Sequence, residues 1–215
     1  MKVMNCVGAL LLFDILGFFN NLNPERTAQL FHDKGFPLGV CQWVLQFITN
    51  HKVIPKIGDY TFKSFNITYR TPQGSLLSPI LLALYTTNLL NTIKRWEHSD
   101  LTMYVDDGAI YATFHMMNVA AMKVRDHFHK VLEWLYQNSL DANLAKTELM
   151  TFKKQSANQN LLGDMTQGLR YINLIHGLSN ITAASMLRYL GIYLNHNLSW
   201  TNHINIMANR VCSTI

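Results

Sequence analysis

The sequence predicts an α+β domain in which antiparallel strands pack on helices. The predicted order is a strand, two helices, a hairpin, a long helix, a second hairpin, a helix, a strand and a last hairpin. Strands joined by tight turns are antiparallel, and here they occur in pairs instead of alternating singly with helices. Of the 215 residues, 49% are hydrophobic and 14% are charged, so the chain can bury one core and disorder is excluded for most of it.

The first predicted elements are a strand and two helices. Val7 to Asp14 is a continuous apolar run closed by an acid, as expected of a strand buried on both faces. A helix begins at Asn23-Pro24-Glu25, because this triplet offers a capping side chain, a proline at the first helical position and an early acid. A second helix, around Trp43, repeats apolar residues at helical spacing. The next two strands are Lys52 to Ile57 and Tyr60 to Tyr69, across a turn at Gly58-Asp59.

The second half begins with the strongest predicted helix, which Ser78-Pro79 opens and which runs to about Trp96. Two short strands, Leu101 to Val105 and Ala109 to Phe114, then meet at Asp106-Asp107-Gly108, which predicts a hairpin with two acids at its tip. The remaining predicted elements are a helix from about Asn118 to Gln137, a strand from Glu148 to Phe152, a loop from Lys153 to Gly168, a strand from Leu187 to Leu194, a turn at Asn195-His196-Asn197 and a short terminal helix after Trp200.

Charge and cysteine content limit the class of protein further. The 18 Lys and Arg against 13 Asp and Glu leave a net charge of +5, which suits a phosphate-rich partner. The three cysteines describe neither a disulfide framework nor a zinc site, which favours a reducing compartment. The run from Val7 to Phe13 is too short to cross a bilayer; a secretory signal is the alternative to a buried strand there, although no clean cleavage site follows. We therefore expect an intracellular protein, nuclear or cytoplasmic, that is not secreted and has no membrane partner.

Three carboxylates stand where predicted strands end. Asp14 closes the first strand, and Asp106 and Asp107 occupy the tip of a hairpin. If these strand ends lie side by side, the acids repel one another unless divalent cations join them. Mg²⁺ prefers carboxylate oxygens and completes its shell with water and phosphate, so the cluster suits a two-metal phosphoryl-transfer site. The alternative is that Asp106 and Asp107 only favour a tight turn and that Asp14 caps a strand.

Five ordered segments resemble the reverse transcriptase family, in particular the enzymes of retrotransposons that lack long terminal repeats. They are Phe13-Asp14-Ile15-Leu16-Gly17-Phe18-Phe19-Asn20, the stretch from Thr71 to Leu81, Tyr104-Val105-Asp106-Asp107, the stretch from Asn143 to Phe152, and Leu190-Gly191-Ile192 with Leu198-Ser199-Trp200. One such motif is a weak signal, whereas five in order identify the chain as a member of this family. The resemblance implies a polymerase palm, whose antiparallel sheet has a core like that of ferredoxin or RNA-recognition-motif folds and is followed by a hairpin that grips the primer.

The resemblance assigns the chemistry to four residues. Asp14 and Asp106 would bind two Mg²⁺ ions, or Mn²⁺, with Asp107 beside them as a weaker or outer ligand. Lys146 matches a lysine that is suggested to protonate or neutralise the departing pyrophosphate. Without the motif around it, Lys146 would equally be a solvated surface lysine.

The resemblance also implies which residues contact the nucleotide and the primer. Ile15 would present its main-chain oxygen to the metal, and the ring of Phe19 would exclude a ribose 2′-hydroxyl. The competing interpretation of Phe19 is a core aromatic, and core packing likewise competes at Trp200. The further nucleotide-binding residues would be Gln73, Gly74 and Tyr104, and the primer grip would contain Leu190, Gly191 and Trp200, with His203 nearby.

The function implied by the resemblance is that of an RNA-directed DNA polymerase domain of a retrotransposon, acting on an RNA template, a DNA primer and deoxynucleoside triphosphates. Residues 1–194 would form the palm, and 195–215 the end of the primer grip and the start of a thumb. No fingers, endonuclease or RNase H segment is expected in the chain, so the missing segments or another chain would be needed for activity. The alternative is an inactive, truncated remnant of a mobile element that keeps only the palm fold.

Overall fold

The computed structural model describes residues 6–69, 71–72, 74–92, 98–152, 171–172 and 181–213. The helices are α1 (Phe18–Asn21), α2 (Pro24–Asp33), α3 (Leu38–Ile48), α4 (Ser78–Thr92), α5 (Met117–Gln137) and α6 (Thr201–Cys212). The strands are β1 (Val7–Leu16), β2 (Thr49–Val53), β3 (Lys56–Ile57), β4 (Tyr60–Thr61), β5 (Phe65–Tyr69), β6 (Ser99–Tyr104), β7 (Asp107–Phe114), β8 (Asp141–Ala142), β9 (Glu148–Phe152), β10 (Tyr171–Ile172), β11 (Ile181–Thr182), β12 (Met186–Tyr189) and β13 (Ile192–Asn195).

Strand β1 is the central strand of a five-stranded antiparallel sheet. It pairs with β7 along one edge and with β8 and β9 along the other, and β6 completes the sheet beyond β7. The register with β7 places Val7 opposite Phe114 and Asp14 opposite Asp107. The strand predicted from Val7 to Asp14 is confirmed, and β1 continues beyond Asp14 to Leu16.

Alternate residues of β1 enter two different cores. Leu11 and Phe13 belong to the main core, which α4 and α5 complete on one face of the sheet. Leu12 belongs to a smaller cluster that also contains Leu187 of β12. Because side chains alternate between the faces of a strand, a strand with both faces covered needs apolar residues at successive positions. This burial explains the continuous apolar sequence of β1.

The two helices after β1 follow their sequence signals. The Oδ1 atom of Asn23 accepts a hydrogen bond from the Arg26 N–H at 3.0 Å, which caps α2 as predicted. Helix α3 then packs with α2 and α4 in a third apolar cluster that contains Phe31, Val44 and Leu81. These helices therefore form a separate small core beside the sheet.

The segment between α3 and α4 is a β-ribbon, and the two strands predicted there are both interrupted. Strand β2 pairs with β5, and β3 pairs with β4 around the predicted Gly58-Asp59 turn. Pro55 separates β2 from β3 because it has no N–H to donate to the ladder. The tip of the ribbon is exposed, and Ile57 and Tyr60 show 72% and 66% of their surface to solvent.

The single strand predicted from Leu187 to Leu194 is wrong, because this segment forms a hairpin. Strands β12 and β13 pair with each other around a turn at Leu190-Gly191, where φ is 47° and 86°. Gly191 is a turn signal, but leucine rarely adopts a left-handed backbone, so a turn at Leu190-Gly191 was not predicted. Helix α6 follows the hairpin and buries none of its own residues.

Two predicted elements, a helix end and a loop, lie outside the residues that the structure describes. Helix α4 is seen from Ser78 to Thr92, and the rest of the helix predicted to about Trp96 lies outside the described residues. The loop predicted from Lys153 to Gly168 also lies outside them. No helix in the described ranges combines the length and apolar character that a membrane span requires.

Candidate active site

Two acids face each other at one end of the sheet. Asp14, near the end of β1, and Asp107, the first residue of β7, are direct cross-strand partners. Side chains at opposed positions of an antiparallel pair lie close together on the same face. The side chain of Asp14 is 18% exposed, so one of the two acids is largely shielded from water.

The surroundings of Asp107 disfavour its ionisation. Partial burial raises the pKa of its carboxyl above the ordinary value, and the negative charges of Asp106 and Asp14 raise it further. The ammonium group of Lys146 opposes these effects. Negative charge therefore accumulates at this end of the sheet beyond what one lysine balances, which is the condition that a divalent cation relieves.

Asp106 lies in the tight turn that joins β6 to β7. Tyr104 and Asp107 are the last pair of the ladder, which leaves Val105 and Asp106 as a two-residue loop. The predicted hairpin is confirmed, but its predicted tip of Asp106-Asp107-Gly108 is wrong, because Asp107 and Gly108 are already paired in β7. Val105 has φ of 58°, a left-handed conformation that costs a β-branched residue about 1–3 kcal/mol. The carbonyl of Asp106 accepts a hydrogen bond from the Ile15 N–H at 3.1 Å, so the turn is tied to β1.

A glycine allows β1 and β7 to pair closely beside the two acids. Gly108 is the cross-strand partner of Phe13, and a Cβ atom on Gly108 would lie 2.1 Å from Phe13 Cζ. The ring of Phe13 is 2% exposed and its centroid lies 5.5 Å from that of Phe128, so the ring has little freedom to move away. No side chain fits at position 108 while Phe13 keeps its place.

A break in the strand ladder brings Lys146 to Asp14. Strand β8 pairs with the end of β1, and strand β9 pairs with the middle of β1. A 3₁₀ turn, Leu144–Lys146, separates β8 from β9. At this break Lys146 Nζ lies 3.1 Å from Asp14 Oδ2. The lysine side chain is 68% exposed, so the ion pair is weak and can be exchanged for another partner.

Asn143 is a residue at this site to which the sequence analysis assigned no role. Its Nδ2 atom donates to Asp14 Oδ2 at 3.4 Å, and its backbone N–H donates to the Asp14 carbonyl at 2.8 Å. The sequence marked Asn143 only as the first residue of the fourth motif. Without the register of β8 against β1, that position did not show which group Asn143 contacts.

A pocket of about 380 Å³ opens beside the acids, and we call it the acid pocket. Its lining includes Asp14, Phe13, Asp107, Gly108, Lys146, Glu148, Arg188, Tyr189 and Leu190. The structure thus brings together Asp14, Asp107, Lys146 and Leu190, whereas Asp106 does not line the pocket. Across the described ranges, no three His, Cys, Asp or Glu side chains are arranged to hold one metal ion.

The residues predicted to contact the nucleotide lie in neighbouring segments. The carbonyl of Phe19, in α1, accepts a hydrogen bond from the Thr71 N–H at 2.8 Å, and Gly74 follows closely in the chain. Gly74 has φ of 89° and no atom within 4 Å of the place a Cβ would occupy, so its backbone conformation requires glycine and space is left beside it. Phe19 is partly buried against the main core. Gln73 lies outside the described residues.

The other predicted site residues differ in exposure. Tyr104 and Trp200 are 62% and 58% exposed, so the core-packing interpretation of Trp200 is wrong. The Trp200 ring meets His203 edge-on, with centroids 5.8 Å apart. Ile15 is 1% exposed, so its side chain belongs to the core and only its main chain is available to a ligand.

An antiparallel sheet packed on long helices, with two acids facing each other at its end, is the arrangement of a polymerase palm. The chain belongs to the reverse transcriptase (RNA-dependent DNA polymerase) family, whose model matches residues 6–194. This match confirms the resemblance that the five motifs showed.

Comparison with individual proteins agrees with this family. The chain is similar to the probable RNA-directed DNA polymerase from transposon X-element of Drosophila melanogaster, with 22% identity over 147 residues that make up 68% of this chain and 15% of that protein. It shares its fold with the apo telomerase from Candida tropicalis truncated from the C-terminal domain, with a TM-score of 0.53, 16% identity and coverage of 90% of this chain and 35% of that chain. The apo telomerase from the same yeast gives a TM-score of 0.52 at 14% identity, with coverage of 89% and 32%.

These comparisons confirm the α+β palm fold. They also show that the chain spans only a fraction of each relative: 15% of the transposon protein and about a third of each telomerase chain.

Proposed function

We propose that this chain is the palm of an RNA-directed DNA polymerase from a retrotransposon without long terminal repeats. The observation that carries the proposal is the pairing of Asp14 with Asp107 across β1 and β7, with Lys146 in contact with Asp14, in a chain of the reverse transcriptase family. In this proposal residues 1–194 form the palm, and 195–215 complete the primer grip and begin the next subdomain.

The proposed reaction extends a DNA primer along an RNA template. The 3′-hydroxyl oxygen of the primer attacks the α-phosphorus of a deoxynucleoside triphosphate and gives up its proton. A new phosphodiester bond forms, the bond between the α-phosphorus and its bridging oxygen breaks, and pyrophosphate leaves with that oxygen. Atoms and charge balance without an oxidant or a reductant.

The acid pocket fits the divalent cations that the family implies. Asp14 and Asp107 bring two carboxylates together across β1 and β7. Partial burial, and after it the charges of Asp106 and Asp14, raise the pKa of Asp107, and a bound cation would offset these effects. These two residues, with Asp106 beside them in the turn, would hold Mg²⁺ or Mn²⁺, two ions in all. When bound, such ions make the attacking hydroxyl more acidic and stabilise charge on the phosphate oxygens.

The side chains around the acids have separate proposed tasks. Lys146 Nζ supplies positive charge, or a proton, to the departing pyrophosphate. The ring of Phe19 lies against the sugar, and Gln73, Gly74 and Tyr104 contact the incoming nucleotide and its template base. The exposed turn Leu190-Gly191 borders the acid pocket and, with Trp200, holds the primer end.

An RNA-templated primer-extension assay tests the proposed function. With a homopolymer RNA template, a matching DNA primer and deoxynucleotide, and with the missing polymerase segments supplied, we expect incorporation in Mg²⁺ or Mn²⁺ that a chelator stops and added metal restores. If the wild-type chain incorporates nothing while remaining folded, the proposal fails for this chain. That result would favour the inactive remnant.

Replacing Phe19 with alanine should admit ribonucleotides. The aromatic ring discriminates by occupying the space of a 2′-hydroxyl, so its removal is expected to lower the preference for deoxynucleotides roughly ten- to a hundredfold. The measurement is the ratio of kcat/KM for a deoxynucleotide and the matching ribonucleotide. Phe62→Ala, on the exposed ribbon, is the control and should keep the wild-type ratio. An unchanged ratio in Phe19→Ala would contradict the proposed role of the ring.

Replacing Lys146 with methionine should strengthen metal binding. The ammonium group at Asp14 Oδ2 offsets the charge of this carboxylate and repels a cation, and an ion pair with an exposed lysine is worth at most about 1 kcal/mol. We therefore expect the dissociation constant for Mn²⁺, measured by electron paramagnetic resonance, to fall roughly two- to fivefold. Lys52→Met, on the ribbon, provides the matched control. Equal affinities in the two variants would show that Lys146 does not compete with the metal.

A further inference from the structure

Asp14 has a different partner on each side of β1. Across one edge it faces the carboxylate of Asp107, and across the other it meets Asn143, which directly follows β8. The backbone bond from the Asn143 N–H to the Asp14 carbonyl continues the β1–β8 ladder by one step. The central acid of the site is thus held between a carboxylate and a carboxamide.

The contacts of Asp14 fall on one of its two carboxylate oxygens. Asn143 Nδ2 reaches Oδ2 at 3.4 Å and Lys146 Nζ reaches the same atom at 3.1 Å. No other side chain in the described ranges donates to this carboxylate. Within the part of the chain that the structure describes, Oδ1 of Asp14 accepts no side-chain hydrogen bond.

Asn143 also organises the turn that carries Lys146. Its carbonyl accepts hydrogen bonds from the Lys146 N–H at 3.0 Å and from Thr147 Oγ1 at 3.1 Å. One residue therefore contacts Asp14 with its side chain and its backbone, and sets the 3₁₀ turn with its carbonyl. A carboxamide suits this place because it donates a hydrogen bond without adding a charge that would neutralise or repel the acids.

We propose that Asn143 is a positioning residue that fixes the rotation of the Asp14 carboxylate and presents its Oδ1 atom to a divalent cation. This inference deepens the proposed function and rests on it for the identity of the cation. Groups that orient a metal ligand typically contribute a factor of about 10–100 to metal affinity or activity. A carboxylate that is free to rotate must lose that freedom when it binds the metal, which weakens binding.

The test is a Mn²⁺ titration of Asn143→Ala, followed by electron paramagnetic resonance. We expect the dissociation constant to rise about tenfold while the melting temperature stays close to that of the wild type, because the backbone hydrogen bonds of residue 143 do not need its side chain. Asn143→Ser keeps a short donor and should fall between the alanine variant and the wild type. In primer extension the alanine variant should lower kcat with little change in the KM for the nucleotide.

Asn138→Ala provides the matched control. Asn138 is 4% exposed, donates to the Trp134 carbonyl at 2.6 Å and accepts from the Tyr85 hydroxyl at 3.3 Å, so its loss removes buried hydrogen bonds away from the acid pocket. This variant should lose stability and keep the wild-type affinity for Mn²⁺.

Three outcomes would overturn the proposal: an unchanged dissociation constant in Asn143→Ala, an equal change in Asn138→Ala, or no Mn²⁺ binding by the wild type. If the wild type binds Mn²⁺ and incorporates no nucleotide, the polymerase proposal fails. The titration still decides the role of Asn143 in that case.

Discussion

The variant Asp14→Asn is expected to lower the rate of nucleotide incorporation about a thousandfold, because metal assistance supplies several kcal/mol and about 4 kcal/mol corresponds to this factor. Asparagine keeps the size of the side chain and its place between Asp107 and Asn143, but it lacks the charge that attracts a cation. The same variant should lose measurable Mn²⁺ binding. Both effects have one cause, so they should appear together.

The fold should survive this substitution. Asp14 and Asp107 are cross-strand partners of like charge. The pKa of Asp107 is raised mainly by burial and further by the charges of Asp106 and Asp14, so removing the charge of Asp14 relieves part of this unfavourable interaction. We expect a melting temperature equal to or above that of the wild type, although Lys146 loses a weak partner. Asp59→Asn, in the ribbon turn, is the control and should leave incorporation unchanged. Full activity in Asp14→Asn would remove the basis of the proposed mechanism.

The roles of Asp106, in the β6–β7 turn, and Asp107, the first residue of β7, can be separated in the same assay. The family resemblance assigns Asp106 the larger role, whereas the acid pocket is lined by Asp107. Comparing Asp106→Asn with Asp107→Asn shows which carboxylate joins Asp14 at the metal. The larger loss of Mn²⁺ affinity identifies the ligand.

Gly108→Ala is expected to destabilise the protein by about 3 kcal/mol or more, at the upper end of the range for overpacked cores. The added Cβ would lie 2.1, 2.4 and 2.6 Å from three atoms of the Phe13 ring. Since the ring is buried and packs near Phe128, either the ring or the β1–β7 pairing has to shift. The measurement is the midpoint of urea denaturation.

Two further variants test whether the contact with the Phe13 ring causes the loss of stability in Gly108→Ala. Gly39 lies in helix α3 with nothing within 4 Å of a built Cβ, so Gly39→Ala should stabilise the protein, by up to about 1 kcal/mol. The double variant Phe13→Leu with Gly108→Ala removes the ring atoms that clash and should recover part of the stability lost in Gly108→Ala. Equal stability of Gly108→Ala and the wild type would show that the two strands are not held at this distance.

Much of the fold could be predicted because local sequence and tertiary structure agree there. The apolar run of β1, the capping triplet of α2 and the Asp106-Asp107-Gly108 hairpin each carry a signal within a few residues. The β12–β13 turn carries a weaker signal, because Gly191 favours a turn but Leu190 adopts a left-handed backbone that leucine seldom takes. In the ribbon, Pro55 marks the first interruption, whereas no glycine or proline marks the second, at Phe62-Lys63-Ser64.

The candidate site was predictable to the extent that motifs mark it. The sheet brings Asp14, Asp107 and Lys146 together, whereas the resemblance gave the larger role to Asp106, which does not line the acid pocket. The contact of Asn143 with Asp14 depends on the register between β8 and β1. The close approach of Gly108 to Phe13 depends on the register between β7 and β1. Register is a property of paired strands, so no single segment of sequence contains it.

The position of β1 has a consequence for how this chain tolerates mutation. Both edges of the strand are paired and its side chains enter two cores, while Asp14 stands near its end. Substitutions of the apolar residues of β1 are therefore expected to disturb the fold and the acid pocket at once, whereas changes at the exposed tip of the ribbon are expected to have smaller effects. For the retrotransposon origin proposed above, lesions in the apolar residues of this one strand would end folding and chemistry together, and lesions at the exposed tip of the ribbon would have smaller effects.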